Sequence, residues 1–196
     1  SDIKQIEKQL FYEENGNQIQ LKRIYNRLIF DEIGENTEVF KASFDPREEL
    51  DIEWITHPNW FYRISKYTMP FLKSKFVPET HFLNTLETTP TDLDNYVLKP
   101  LFSFAGMGVI IDVTETDIKA IKDPENWILQ RKVIYEPIIK ALDAGVKAEI
   151  RMMYLWPEGS EPKLCINLSR LSRGKMIGVR YNADFDWVGG TVGLME

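Results

Sequence analysis

The rhythm of apolar and polar positions changes near residue 95. Before that point the signals are mixed. Residues 3–14 predict a short helix or a helix running into a strand. Asn15-Gly16-Asn17 is a turn signal between Leu10-Phe11-Tyr12 and Ile19-Gln20-Leu21, which predicts a hairpin. Residues 24–30 alternate like a strand. Residues 31–53 are acidic, with a helix start at Asp45-Pro46 and a strand over 50–54. Pro58-Asn59-Trp60 opens a helix to about residue 72, which Pro70 must bend or end. Residues 77–80 form a loop before a short strand.

From residue 95 the pattern is β-rich. Strands are predicted at 95–99, 108–113, 127–134, 147–156, 163–170 and 175–181. One helix is predicted at 114–121, where Thr114 is a good N-cap and Asp117 lies three residues on. There are no repeats and no low-complexity segments. The Thr-rich stretch 85–95, with Pro90, is the best boundary between two lobes.

One segment in this β-rich half carries a chemical signal. Val97-Leu98-Lys99-Pro100 delivers a lysine, Ser103-Phe104-Ala105-Gly106-Met107-Gly108 is a small-residue turn, and Val109-Ile110-Ile111 returns. Glycines let backbone N–H groups approach phosphate oxygens with no Cβ in the way, and the lysine adds a mobile positive charge. This is neither a Walker loop nor a dinucleotide fingerprint, because the glycine spacing differs and no Gly-Lys-Ser/Thr opens a helix.

Composition narrows the partners. The chain has 196 residues, 43% hydrophobic and 12% aromatic, enough to bury a sizeable core. No apolar run approaches the roughly 20 residues that cross a bilayer. The start, Ser1-Asp2-Ile3-Lys4-Gln5, has no signal-peptide character, and the single cysteine, Cys165, excludes an internal disulfide. The lone cysteine fits a reducing cytoplasm. The net charge of −6 lies wholly in residues 1–98; residues 99–196 balance. Within 163–181 stand Lys163, Arg170, Arg173, Lys175 and Arg180 and no acid. A local basic tract in an acidic protein points to a small anionic ligand, not to nucleic acid.

The remaining chemistry-bearing residues are poorly arranged. His57 and His81 have no Cys or acid at a metal spacing, and no Ser-His-Asp pattern is recognisable. Cys165 lies in the apolar run Leu164-Cys165-Ile166 and is expected to be a packed thiol. Trp54, Trp60 and Phe61 are expected in the core or at a lobe interface.

Over about residues 57–193 the order of features resembles the ATP-grasp superfamily, whose members activate a carboxylate as an acyl phosphate and pass it to an amine or thiol. Ser65-Lys66 with Val77-Pro78-Glu79-Thr80 resembles the stretch before the grasp fold. Val97-Leu98-Lys99-Pro100 and Ser103–Val109 resemble the phosphate-binding strand and its glycine loop. Trp127-Ile128-Leu129-Gln130-Arg131-Lys132-Val133 resembles the hinge strand that reads adenine. Ala148-Glu149-Ile150-Arg151, Asn167-Leu168-Ser169-Arg170, Tyr181-Asn182 and Gly189-Gly190-Thr191 resemble the reaction centre. The resemblance implies an α+β, ATP-grasp-like fold of two β-rich lobes with flanking helices. Residues 1–90 would be the tail of a preceding domain and a linking helix, and 91–196 the nucleotide-binding lobes.

It implies ATP and Mg²⁺ as cofactors and small-molecule carboxylate and amine or thiol substrates. Lys66, Lys99, Ser103, Gly106, Gly108, Gln130, Lys132, Val133 and Glu136 would hold ATP. Arg151, Arg170 and Arg173 would stabilise the transferred phosphoryl group. The family's Glu-x-Asn metal strand does not follow the Gly-Gly loop before Glu196. Three explanations stand. The strand precedes residue 1 in a longer chain, as in the circularly permuted branch that includes glutathionylspermidine synthases, which is the preferred reading. Or Glu149, Asn167 and Asn182 supply the oxygen ligands that Mg²⁺ requires. Or the metal site is lost. The alternative function is a degenerate nucleotide-binding or interaction module without ligase activity.

Overall fold

The structure is a computed structural model that describes residues 3–27, 44–46, 48–57, 59–141, 144–178 and 181–194. It is strand-rich with few, short helices. Two compact units divide the chain, Ser1–Lys132 and Val133–Glu196.

The first unit opens with a three-stranded antiparallel sheet, β1 (Lys4–Ile6), β2 (Gln9–Glu14) and β3 (Asn17–Leu21). The expected β2–β3 hairpin forms with Glu14 opposite Asn17. Asn15 and Gly16 take φ of 52° and 77°, the left-handed pair that a tight two-residue turn requires. The helix expected over 3–14 is absent: a turn at Glu7 and Lys8 joins two strands instead. β4 (Arg23–Tyr25) and β5 (Glu53–Ile55) pair in parallel and overlap the strands expected at 24–30 and 50–54 by two residues each. Residues 28–30 lie outside the described residues. Of the helix start at 45–46, a turn remains, closed by Glu48 N–H to the Asp45 carbonyl at 3.1 Å.

The predicted helix to residue 72 breaks in two. α1 (Trp60–Arg63) is a single turn; Ser65 Oγ then accepts the Tyr67 N–H and starts a 3₁₀ run, Lys66–Phe71, that contains Pro70. A proline fits this tighter run because it has no N–H to leave unpaired.

Next come β6 (Thr80–Phe82), β7 (Tyr96–Pro100) and β8 (Trp127–Arg131), forming an antiparallel sheet in the order β6-β8-β7. Strand β6 lies before residue 90 in sequence yet pairs with β8, so this sheet joins residues on both sides of that position. One face carries Tyr96, Leu98 and Leu129, which pack with Leu83, Leu93 and Val113 into the core. α2 (Glu115–Ala120) adds Ile118 to that cluster. Its N-terminus is a capping box: Thr114 Oγ1 accepts the Asp117 N–H and Asp117 accepts the Thr114 N–H. The strand expected at 108–113 reduces to one bridge, Leu98 to Ile110.

The second unit is an antiparallel sheet in the order β12-β11-β10-β9. Its strands are β9 (Ile139–Lys140), β10 (Gly145–Leu155), β11 (Lys163–Ser172) and β12 (Gly189–Thr191). β10 and β11 form a long hairpin with Glu149 opposite Arg170 and Arg151 opposite Leu168. Of the strand expected at 175–181, residues 175–178 and 181 form no strand, and 179–180 lie outside the described residues. Among the described residues no helix is long and apolar enough to cross a membrane.

Candidate functional site

In the first unit the chemistry collects on the second face of the β6-β8-β7 sheet. Alternation puts Lys99 on the side away from Leu98. Its neighbours there are Thr80, Ile128 and Gln130. Gln130 is only 3% exposed and its amide is fully engaged. Gln130 Oε1 accepts from Lys99 Nζ at 2.5 Å, and Nε2 donates to Thr80 Oγ1 at 2.8 Å and to Met69 Sδ at 3.5 Å. The Thr80 hydroxyl donates to the Pro78 carbonyl at 2.9 Å. The chain of donors ends at a neutral carbonyl. No carboxylate stands within ion-pairing distance of Lys99 among the described residues. Burial pushes the Lys99 ammonium below the ordinary lysine value of 10.5.

β7 runs directly into the small-residue loop. Ala105, Gly106 and Gly108 all have positive φ, at 49°, 82° and 68°. At Gly108 a Cβ would also stand 3.0 Å from Pro100 Cγ, so the loop needs glycine there for both conformation and space. Lys66 Nζ donates to the Ser103 carbonyl at 2.7 Å and to Ser103 Oγ at 2.9 Å, tying the 3₁₀ run to the loop. Lys66, Ser103 and Ala105 line a cavity of about 310 Å³ walled by Phe61, Leu101 and Phe104. Phe61 and Phe104 stack with centroids 5.9 Å apart. Lys132, at the end of this unit, donates from Nζ to the Asp94 carbonyl and lies 3.5 Å from Asp112 Oδ1.

In the second unit the cross-strand register brings Glu149 and Arg170 together. Arg170 donates from Nη1 to Glu149 Oε1 at 3.2 Å and from Nη2 to the Ile177 carbonyl at 2.9 Å. Arg151 is more exposed and reaches Glu149 at 3.5 Å. Both guanidiniums line one cavity of about 280 Å³, with Leu168, Ile177, Val188 and Gly190 as its apolar and glycine walls. Arg173 points elsewhere: its guanidinium lies over the Phe185 ring at 5.5 Å and reaches the Asp186 carbonyl at 3.4 Å. Val133 and Glu136 are exposed. The Tyr135 phenol is pushed up, by burial first and then by Glu149, with Arg170 opposing.

Asn167 and Asn182 are buried, and backbone groups take both side chains. Asn182 Oδ1 accepts from Ser172 Oγ, Arg173 N–H and Gly174 N–H at 3.1, 2.9 and 2.7 Å. Its Nδ2 donates to the Met176 and Gly178 carbonyls at 2.9 and 2.7 Å. Asn167 pairs both its groups with Gly193 at 2.7 Å. These amides stitch irregular chain to β11. With their oxygens engaged in this way, Asn167 and Asn182 do not offer Mg²⁺ ready ligands, and Glu149 is already shared by two guanidiniums. Among the described residues no cluster of three or more His, Cys, Asp or Glu side chains is placed to hold a metal.

Of the residues singled out in the sequence, Lys99 is hydrogen-bonded to Gln130, Lys66 is hydrogen-bonded to Ser103 beside a cavity that Lys99 does not line, and Arg151 and Arg170 line one cavity in the second unit. Sequence reasoning missed Thr80 as the anchor of Gln130, and the aromatic wall of Phe61 and Phe104; the apolar positions in Trp60-Phe61-Tyr62 were the available signal. Cys165 and Trp60 are exposed, not packed. No protein-family model, curated protein or solved structure matches this chain.

Proposed function

We propose that this chain is the nucleotide-holding part of an ATP-dependent ligase of ATP-grasp type, acting on a small carboxylate and an amine or thiol. The observation that carries the reading is Lys99, a largely buried ammonium whose hydrogen-bond partner is a neutral amide. A buried cation without a counter-charge is costly, and an anion arriving beside it relieves that cost. The Ser103–Gly108 loop, which begins four residues later, holds Ala105, Gly106 and Gly108 in left-handed conformation, a backbone arrangement that lets phosphate oxygens approach N–H groups. Lys66 is already fixed to that loop through Ser103.

In this reading Lys99, Lys66 and the Ser103–Gly108 loop bind the phosphates. A substrate carboxylate oxygen attacks the terminal phosphorus, the bond to the bridging oxygen breaks and ADP leaves. The amine or thiol then attacks the acyl carbon and phosphate departs. By the resemblance to ATP-grasp ligases alone, Arg151 and Arg170 of the second unit would be the cations for a carboxylate and its acyl phosphate. Mg²⁺ would neutralise phosphate charge, with ligands other than the engaged side chains of Glu149, Asn167 and Asn182.

Titration calorimetry with Mg-ATP tests the reading. Saturable binding is expected, weakened tenfold or more in Lys99→Met; absence of binding to the wild-type chain overturns it. The engagement of Asn167 and Asn182 favours one second reading, a nucleotide-binding module without transfer. That module binds Mg-ATP but releases no ADP with any carboxylate and amine. In a competent ligase, Arg151→Ala or Arg170→Ala is expected to lower turnover by about 10²-fold.

A further inference from the structure

β10 has an open edge with an internal symmetry. On one side it pairs with β11 from Lys147 to Leu155. On the other, among the described residues, it meets β9 at Gly145 and Val146 and pairs with no further strand. At its far end the ladder with β11 shifts between Met153 and Tyr154. The regular open edge therefore runs over residues 147–153 and is centred on Ile150. A strand edge of this length presents unpaired backbone donors and acceptors, which normally invite another strand.

The side chains along it are arranged for a copy of themselves. In antiparallel pairing about Ile150, Glu149 falls opposite Arg151 of the second copy, and Arg151 opposite Glu149 of the second copy. Ile150 meets Ile150, and Ala148 meets Met152. The two Glu149–Arg151 pairs, flanked by Lys147 opposite Met153, share one face, and Ala148, Ile150 and Met152 share the other. Ile150 and Met152 are 62% and 48% exposed in the single chain, so the apolar row is uncovered. Charged residues on an edge usually repel a second strand, but here their alternating sign is self-complementary. A one-residue slip would break both Glu149–Arg151 pairs and move Ile150 opposite Glu149 or Arg151.

We propose that β10 pairs with β10 of a second copy, forming a two-fold dimer through continuous antiparallel sheet. This does not depend on the nucleotide reading. The contact is small by the standard of stable interfaces, so association in the micromolar range is expected.

Light scattering after gel filtration tests the association. Mass should rise from 22.9 kDa at low concentration toward twice that value at tens of micromolar. Ile150→Lys should keep the chain at 22.9 kDa with an unchanged circular dichroism spectrum. The register is tested by Ile150→Cys in a Cys165→Ser background, which should form a disulfide dimer under mild oxidation, whereas Lys147→Cys in the same background should not. A chain that stays monomeric throughout, or a dimer unaffected by Ile150→Lys, overturns the proposal. So does equal cross-linking from residues 147 and 150.

Discussion

Burial disfavours the charged form of Lys99, and this sets a pH dependence with a definite sign. The folded-state value lies below 10.5 and the unfolded value at it. Between the two, the unfolded chain holds the extra proton, so stability rises with pH in that window. Below the lowered value the penalty is constant. The stability difference between wild type and Lys99→Met, followed by melting from pH 7 to 10.5, should therefore shift in favour of the wild type as pH rises. Parallel curves would show that the ammonium is not desolvated. Asn182 gives a second residue-scale test. Asn182→Asp keeps an acceptor for Arg173 and Gly174 but aims a carboxylate oxygen at the Met176 and Gly178 carbonyls. The variant should be less stable by about 2–3 kcal/mol at pH 7 and recover part of that loss below pH 5, where a protonated acid can donate. Equal melts at both pH values would remove the stitching role. Lys99 and its loop were legible in sequence because a strand, a lysine and paired glycines are local. The Asn182 stitch was not, since its partners' roles emerge only when the chain folds back on β11.

Local chemistry decided some elements and tertiary pairing decided others. The β2–β3 turn and the α2 cap were readable because their residues are neighbours. Gly16 has open space around its missing Cβ, so Gly16→Ala tests backbone conformation alone and should cost about 1 kcal/mol. Thr114→Ala removes the α2 cap and should cost a similar ~1 kcal/mol in chemical denaturation at pH 7. The Thr114 hydroxyl and backbone hold Asp117 below its ordinary value of 3.8. That contribution is present above 3.8 and lost as pH falls through the lowered value, so the two proteins should converge in acid. The helix expected over 3–14 failed for a different reason. Its Lys, Gln and Glu content favours a helix only weakly, and pairing Leu10 against Leu21 buries Leu10 completely. The strand expected at 175–181 failed because Asn182 supplies the partners a sheet would have supplied.

Charge sets the expectation for the whole molecule. The net value of −6 opposes a polyphosphate at long range, while Lys66 and Lys99 attract it at short range. Added salt screens distant exposed charges first. If the two lysines dominate, Mg-ATP affinity falls as ionic strength rises; if the net field dominates, it rises. A calorimetric series in potassium chloride separates the two, and a fall is expected. The overall strand-rich character was plain from the second half of the sequence. The division after Lys132 was not, because β8 ends in a run that reads as continuous strand.

The shift in the β10–β11 ladder has a practical consequence. Ile166 pairs with Met153 and Leu164 with Tyr154, which leaves Cys165 as the extra residue of the bulge. Its thiol is exposed and is the only one in the sequence. A single maleimide dye can be attached there without displacing a paired residue. The protein thus carries a ready optical reporter at the far end of its longest hairpin.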